Sequence, residues 1–482
     1  MAYRHGVYVS EVPTSVVSPV TAAAGLPVVF GTAPIHLAET QDLVNKPVLA
    51  YTYGEAVGAL GYSNDWVSYT LCEFLKSHFS LFNVAPVVLV NVLDPSKHKK
   101  SIPSAPITLT NGVGIINTSG VILSSMVVKA TEAGQPLVKN TDYTVAFNND
   151  GKVVITALAG GAIANKTSAV ATYNYLDPSM VTSLDIVGGV DASTGNVQGL
   201  ELVNQVFPHF RLVPGQILAP GWSHDPVVAA VMKAKSTNIN GLFTAISLID
   251  IDSSEAKQYT EVPSWKNEQN ITDPLQIPFW PKVKLGDDIY HLSTQAAGVI
   301  SRTDGLNDDL PYVSPSNKNL QANGAVTADG TEVTLGPDQA AYLNGQGIVT
   351  ALNFVGGWKL WGNRTAAYPG ISDVKDSFIA VKRMFNWVGN SIILTYWQKV
   401  DDPTNKRLID TVVDGINIWL NGLTARGALL GGRIEFRKDE NPVTDLLDGI
   451  IRFHVFLTPP VPAKEMDFKL EFDVNYLNAL FA

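Results

Sequence analysis

The sequence predicts a multidomain chain that combines α/β and α+β architecture, and three patterns carry that prediction. Short apolar runs alternate with helix-periodic segments on both sides of residues 98–185, as in a partly parallel sheet covered by helices. Residues 98–185 hold only strand-like runs, which predicts a small inserted β-sandwich. The last third joins one long amphipathic helix to two alternating strand runs, the pattern of an α+β unit. A length of 482 residues is enough for two to four domains.

The elements follow in chain order. Gly6 to Val12 reads as a short strand, with Val7 and Val9 on the face opposite Tyr8 and Val12 near its end, closed off by Pro13 and Pro19. Leu26 to Gly31 is a short buried strand, Tyr53 to Leu60 starts a helix, Val67 to Phe79 is helical, and Val84 to Val92 is a continuous apolar strand. At Asp94 to Lys100 the composition changes. Val121 to Val128, Tyr143 to Phe147, Val153 to Leu158 and Val170 to Tyr175 then read as strands joined by turns at Asn149-Asp-Gly and Gly160-Gly161. The α/β pattern resumes with the helix around Leu200 to Val206, the strand Arg211 to Ala219, the helix Pro226 to Lys235 and the strand Leu242 to Ile251. Asp273 to Ser316 reads as loop-rich, with its turns set by Pro and Gly.

Further on, Ile409, Val412, Val413, Ile416, Trp419, Leu420 and Leu423 mark one face of a helix that Gly427, Gly431 and Gly432 end. Arg433 to Arg437 and Ile451 to Leu457 read as strands of a small sheet with open edges. The final pattern is the most regular in the chain. Met466, Phe468, Leu470, Phe472, Val474 and Tyr476 alternate with polar residues, so an extended chain here has one apolar face. Pro459, Pro460 and Pro462 separate this strand from what precedes it, and it must find an edge to pair with. The expected division is 1–20 and 466–482 as terminal arms, 21–97 with 186–340 as the α/β domain, 98–185 as the insertion, and 341–465 as the C-terminal domain.

Composition narrows the functional classes. Hydrophobic residues at 46% and charged residues at 16% describe a packed protein with little charge for a fully exposed surface, which predicts extensive cover by partners. Thirty-four basic against 44 acidic residues give a net charge of -10, which argues against direct nucleic-acid binding. The single Cys72 excludes an intramolecular disulfide and any multi-cysteine metal site. Arg4, His5 and Glu11 interrupt any secretion signal, and the most apolar run, Val84 to Leu93, is about half of the roughly 20 residues a membrane span needs. Cytoplasmic synthesis without stable membrane insertion is therefore expected.

Candidate chemistry is sparse. Gly160 to Thr167 nearly fits a phosphate-binding loop, but Asn165 stands where the second glycine belongs. Gly188, Gly189 and Gly195 read as a tight turn. Ser223-His224-Asp225 has the residue types of a hydrolase triad, yet adjacent side chains diverge. Asp250 and Asp252 share a strand face without further oxygen ligands at a recognisable spacing. No catalytic residue, metal or cofactor is expected.

Gly188-Gly-Val-Asp-Ala-Ser-Thr-Gly195, Leu218-Ala-Pro-Gly-Trp222, Pro311-Tyr-Val-Ser-Pro-Ser-Asn317, Leu343-Asn-Gly-Gln-Gly-Ile348 and Trp361-Gly-Asn-Arg-Thr365 resemble, in the same order, motifs of contractile-tail sheath proteins, nearest to those of Mu-like phages. The resemblance continues through Phe378 to Phe385, Trp419 to Leu430 and Pro462 to Phe468, and so covers nearly everything outside the insertion. It implies a homo-oligomeric, helical virion sheath around a tail tube protein, bounded by baseplate and tail terminator proteins and assembled in the host cytoplasm. Contraction would drive the tube through a bacterial envelope on stored conformational energy. It also implies that the α/β part is the sheath domain and the C-terminal part an inner domain, its sheet completed by the terminal arms of neighbouring subunits. Here those arms are Gly6 to Val12 and Met466 to Tyr476. Arg426, Arg433, Arg437 and Lys438, clustered at the end of the last helix, are candidates to face the tube. The sheath of a genome-free injection machine (a tailocin) and, from another class, a β-rich surface-binding protein are the competing readings.

Overall fold

Continuous Val, Ile and Leu runs cannot be half exposed, and the chain buries them in a doubly covered sheet. The structure, a computed structural model, describes residues 20–481; Met1–Pro19 and Ala482 lie outside the described residues. Its central sheet has the order Gln276–Phe279, Ile246–Asp250, Gln216–Leu218, Pro27–Gly31, Val87–Asn91, Val48–Ala50. The first five strands are parallel and Val48–Ala50 is antiparallel to its neighbour. The strand order reverses beside Pro27–Gly31, the topology of a doubly wound sheet. Val28, Val88, Ile217, Leu248 and Ile277 fill its core.

Local chemistry explains the flanking helices. Thr52 caps Tyr53–Leu60 through Glu55 N–H, and Asp225 caps Pro226–Thr237 through the N–H groups of Val227 and Val228. The helix expected from Val67 begins only at Thr70 and continues as a π-helix over Lys76–Phe82. Asp273 to Ser316 departs most from the loop expectation. It contains the helix Leu292–Gly305 and the strands Gln276–Phe279, Lys282–Leu285 and Asp288–Tyr290. That helix lies on the central sheet with most of its residues buried, Ser293, Thr294 and Gln295 among them, so no amphipathic stripe marks it. Gly298 lets it approach the Phe82 ring, which a Cβ would meet at 2.3 Å.

Residues 99–176 form two three-stranded antiparallel sheets, Lys99–Thr108 with Ser168–Leu176 and Val127–Lys129, and Val113–Ile116 with Val153–Ala157 and Tyr143–Phe147. Ile107, Val128, Tyr143, Ile155 and Tyr173 belong to a core separate from the main one. Val121 to Val128 is not one strand: a short 3-10 turn, Leu123–Ser125, breaks it. Beyond residue 378 the helices Ile379–Tyr396 and Lys406–Ala425 meet through Trp387 and Trp419, whose rings are 5.5 Å apart. A two-stranded sheet, Gly431–Glu435 with His454–Thr458, packs against the second helix. No described helix is long and apolar enough to cross a membrane.

Candidate assembly interface

The two-stranded sheet is small because its sequence supplies only two strands, and each pairs solely with the other among the described residues. Gly431 opposes Thr458 and Glu435 opposes His454. On the outer side of Gly431–Glu435, Asn417 of the adjoining helix already holds one position: its Oδ1 accepts from Ile434 N–H at 3.0 Å. No side chain occupies the backbone of His454–Thr458 in this way among the described residues. Asn417 escaped the sequence reading, although a carboxamide one turn from both Val413 and Leu420 on an apolar stripe was the available signal.

After Thr458, Pro459, Pro460 and Pro462 remove three backbone donors, and the ladder stops. From Pro459 to Asp473 the chain has neither helix nor strand. Met466, Phe468, Leu470 and Phe472 are 74%, 80%, 98% and 77% exposed. The strand expected over Met466 to Tyr476 is therefore absent from the single chain. Alternation supplies a face, but a strand also needs an edge, and this segment meets none among the described residues. Val474 and Tyr476, both exposed, fall instead in the 3-10 helix Val474–Phe481, which starts where Asp473 Oδ1 accepts from Asn475 N–H at 2.9 Å. Val7, Tyr8, Val9 and Val12 lie outside the described residues.

The four basic residues are not brought together as a free cationic patch. Arg426 reaches Asp308, in the loop after Leu292–Gly305, at 2.9 Å. Arg433 and Arg437 share the Glu435 carboxylate at 2.8 and 3.0 Å, and Arg437 also approaches Glu440. Those two guanidinium bonds hold the Glu435 carboxyl below its ordinary range. Arg433 additionally lies over the Phe456 ring at 4.0 Å. Lys438 alone of the four has no carboxylate partner among the described residues. Charge clustering in sequence missed this because the compensating acids, Glu435 and Glu440, interleave with the bases.

The residues weighed for chemistry serve other ends. Ser223 Oγ donates to Asp250 rather than facing His224, while Asp225 caps its helix and accepts from Ser183 Oγ at 2.6 Å. Asp250 is buried, with Ser293 N–H and Oγ bound to its carboxylate at 3.0 and 2.5 Å. Asp252 accepts from Ser254 N–H. Gly188 and Gly199 make a backbone crossing at positive φ, where a Cβ on Gly188 would lie 2.0 Å from Gln198 O. Gly160 to Thr167 connects the strands Val153–Ala157 and Ser168–Leu176. No group of three or more His, Cys, Asp or Glu side chains is placed to hold a metal among the described residues.

No protein-family model matches the chain. The tail sheath protein of Burkholderia phage BcepMu is 28% identical to it across 99% of this chain and 98% of its own. Among solved structures, the helical sheath of the anti-feeding prophage in its contracted state superposes with a TM-score of 0.58 at 15% identity, covering 98% of this chain and 100% of the other. The contracted sheath complex of PVC, an extracellular contractile injection system, gives 0.56 at 14% identity, covering 98% and 99%. The chain is thus similar along nearly its whole length to a phage tail sheath protein, and it shares its fold with the sheath chains of the anti-feeding prophage and of PVC.

Proposed function

We propose that the chain is the structural subunit of a contractile tail sheath, polymerising helically around a tail tube and shortening to drive that tube through a bacterial envelope during genome ejection. Full-length likeness to a phage tail sheath protein carries the reading. In it, residues 21–97 and 186–340 are the sheath domain, 98–185 an inserted β-sandwich, and 341–465 the inner domain. The arms, 1–20 and 466–482, complete the inner sheets of neighbouring subunits. A heterologous contact that does not close generates the helix. Baseplate, tail tube and tail terminator proteins are the further partners, the virion is the site of action, and no catalytic step enters the cycle.

Two observations support the arm assignment: an alternating segment whose apolar side chains stand in water, and a two-stranded sheet whose edge at His454–Thr458 pairs with no further strand among the described residues. Burying six such side chains yields roughly 9–18 kcal/mol at about 1.5–3 each. Ordering the backbone from Met466 to Tyr476 costs about 11–22 kcal/mol at about 1–2 per residue. Ladder hydrogen bonds, at about 0.5–1.5 kcal/mol each, tip this near-balance only slightly. One arm therefore binds weakly, and a lattice in which several engage together is held by avidity. In the tube-facing role, Lys438 keeps the freest charge of the four bases.

Purified protein, concentrated or offered baseplates, is expected to form striated tubes in negative-stain micrographs. Monomers under both conditions would overturn the reading. Likeness to an injection-system sheath favours one second reading, the sheath of a machine without a genome. Capsid and terminase genes beside this one decide for the virion.

A further inference from the structure

The first described residues run antiparallel along the helix Ile379–Tyr396 and are held there by one side chain per helical turn. Val20 N–H donates to Thr395 Oγ1 at 2.9 Å, and Ala22 N–H to Ser391 Oγ at 3.1 Å. Trp387 Nε1–H donates to Ala22 O at 2.8 Å, and Arg383 Nη2–H to Ala24 O at 3.2 Å. Residues 383, 387, 391 and 395 are four apart and share one face of the helix. Four helical residues advance about 6 Å, and two residues of extended chain about 6.6 Å. The two repeats match closely enough for Val20, Ala22 and Ala24 each to find a partner.

The same helix is tied to the α/β domain. Arg383 grips both carboxylate oxygens of Asp304 on Leu292–Gly305, and the Asn390 carboxamide pairs with Thr244 N–H and O at 3.0 and 2.8 Å just before the strand Ile246–Asp250. At the far end of the strap, Gly25 O accepts from Gln216 Nε2 at 2.8 Å and Ser301 Oγ at 2.9 Å. A Cβ on Gly25 would come within 3.0 Å of Asp304 Oδ2 and 3.2 Å of Ser301 Cα, so the bare backbone is what fits. Two residues later the chain enters the central sheet at Pro27.

We infer that Val20–Gly25 is a shear anchor for the N-terminal arm, a role that rests on the arm reading proposed above. Tension arriving at Val20 runs along the strap, across hydrogen bonds set side by side. They are strained together, whereas a peeling force would break them one at a time. The pull then reaches the inner-domain helix through Arg383, Trp387, Ser391 and Thr395, and the central sheet through Gly25. Both domains move as one body with the arm. Eight residue steps separate Val20 from Val12 and can span at most about 29 Å. A neighbour's receiving edge must lie within that distance of the anchor.

The test compares the full chain with Ser391→Ala/Thr395→Val, which deletes two acceptors, and with Trp387→Phe, which deletes one donor while keeping an aromatic ring. In the wild-type subunit, hydrogen exchange at the Val20 and Ala22 amides is expected to be slow, and to speed up about tenfold or more in the double variant with the rest of the helix still protected. Tubes assembled from either variant should form normally and fragment at lower flow shear, with Thr395→Ser behaving as wild type. Unprotected Val20 and Ala22 amides in the wild type would overturn the anchor. So would variant tubes as shear-resistant as wild-type tubes, while leaving the sheath reading intact. Failure of the wild type itself to form tubes would instead count against the sheath reading.

Discussion

At the scale of single residues, the buried charges show how polar groups fix this fold. Glu73 on Thr70–Leu75 accepts from His291 N–H and pairs with His291 Nδ1, both at 2.7 Å, at the start of Leu292–Gly305. Burial by itself pushes the carboxyl up and the imidazole down. Mutual charge and hydrogen bonding outweigh it, leaving Glu73 below and His291 above their ordinary values. The carboxylate's contribution is present above its ordinary range and is lost as pH falls through its lowered pKa. The imidazolium's is complete below about 6.5 and is lost as pH rises through its raised pKa. Wild-type thermal stability should therefore decline as the pH climbs above neutral, more steeply than in Glu73→Gln/His291→Gln, as followed by circular dichroism. His291→Ala alone strands a buried carboxylate and should cost about 3–5 kcal/mol at neutral pH. A pH profile identical in wild type and double variant would refute the linkage. At Asp304 the balance differs: burial pushes its carboxyl up even against the pull of Arg383. None of these partnerships was legible in the sequence, because Glu73 and His291 lie 218 positions apart and nothing local pairs them.

Elements were legible where their environment is one-sided or uniformly apolar. Tyr53–Leu60 and Tyr143–Phe147 occur where periodicity and turn residues put them, and Lys406–Ala425 follows the stripe Val412, Ile416, Leu420, Leu423. Leu292–Gly305 was not legible, because it is buried on nearly all sides and carries polar residues such as Ser293 and Gln295 whose partners come from elsewhere in the chain. Met466 to Tyr476 is a third case. Its alternation was plain, but a strand needs an edge, and the described residues bring it none. Removing residues 465–482 deletes mostly exposed side chains and no ladder hydrogen bond. Unfolding free energy should change by less than about 0.5 kcal/mol, whereas tube formation should be lost. A truncated chain that still forms tubes would remove the arm from the assembly mechanism.

For the whole molecule, the question is which parts the proposed lattice requires. Residues 99–176 have their own core, and the chain enters and leaves them side by side: Lys99 opposes Leu176, and Asp177 N–H donates to His98 O at 3.0 Å. That geometry lets a short turn replace residues 99–176 without opening the central sheet. These residues are not wholly detached, since the Phe147 ring meets His36 edge-on at 5.7 Å and Leu176 packs with the main core. A chain with residues 99–176 replaced by a Gly-Ser turn should fold cooperatively and lose some stability from that uncovered seam. Because neither the strap on Ile379–Tyr396 nor the sheet Gly431–Glu435/His454–Thr458 touches the excised region in sequence, it should also polymerise. Tubes thinner by the missing residues, with an unchanged axial repeat, are the expected micrograph. A folded variant that makes no tubes would place residues 99–176 among the lattice contacts.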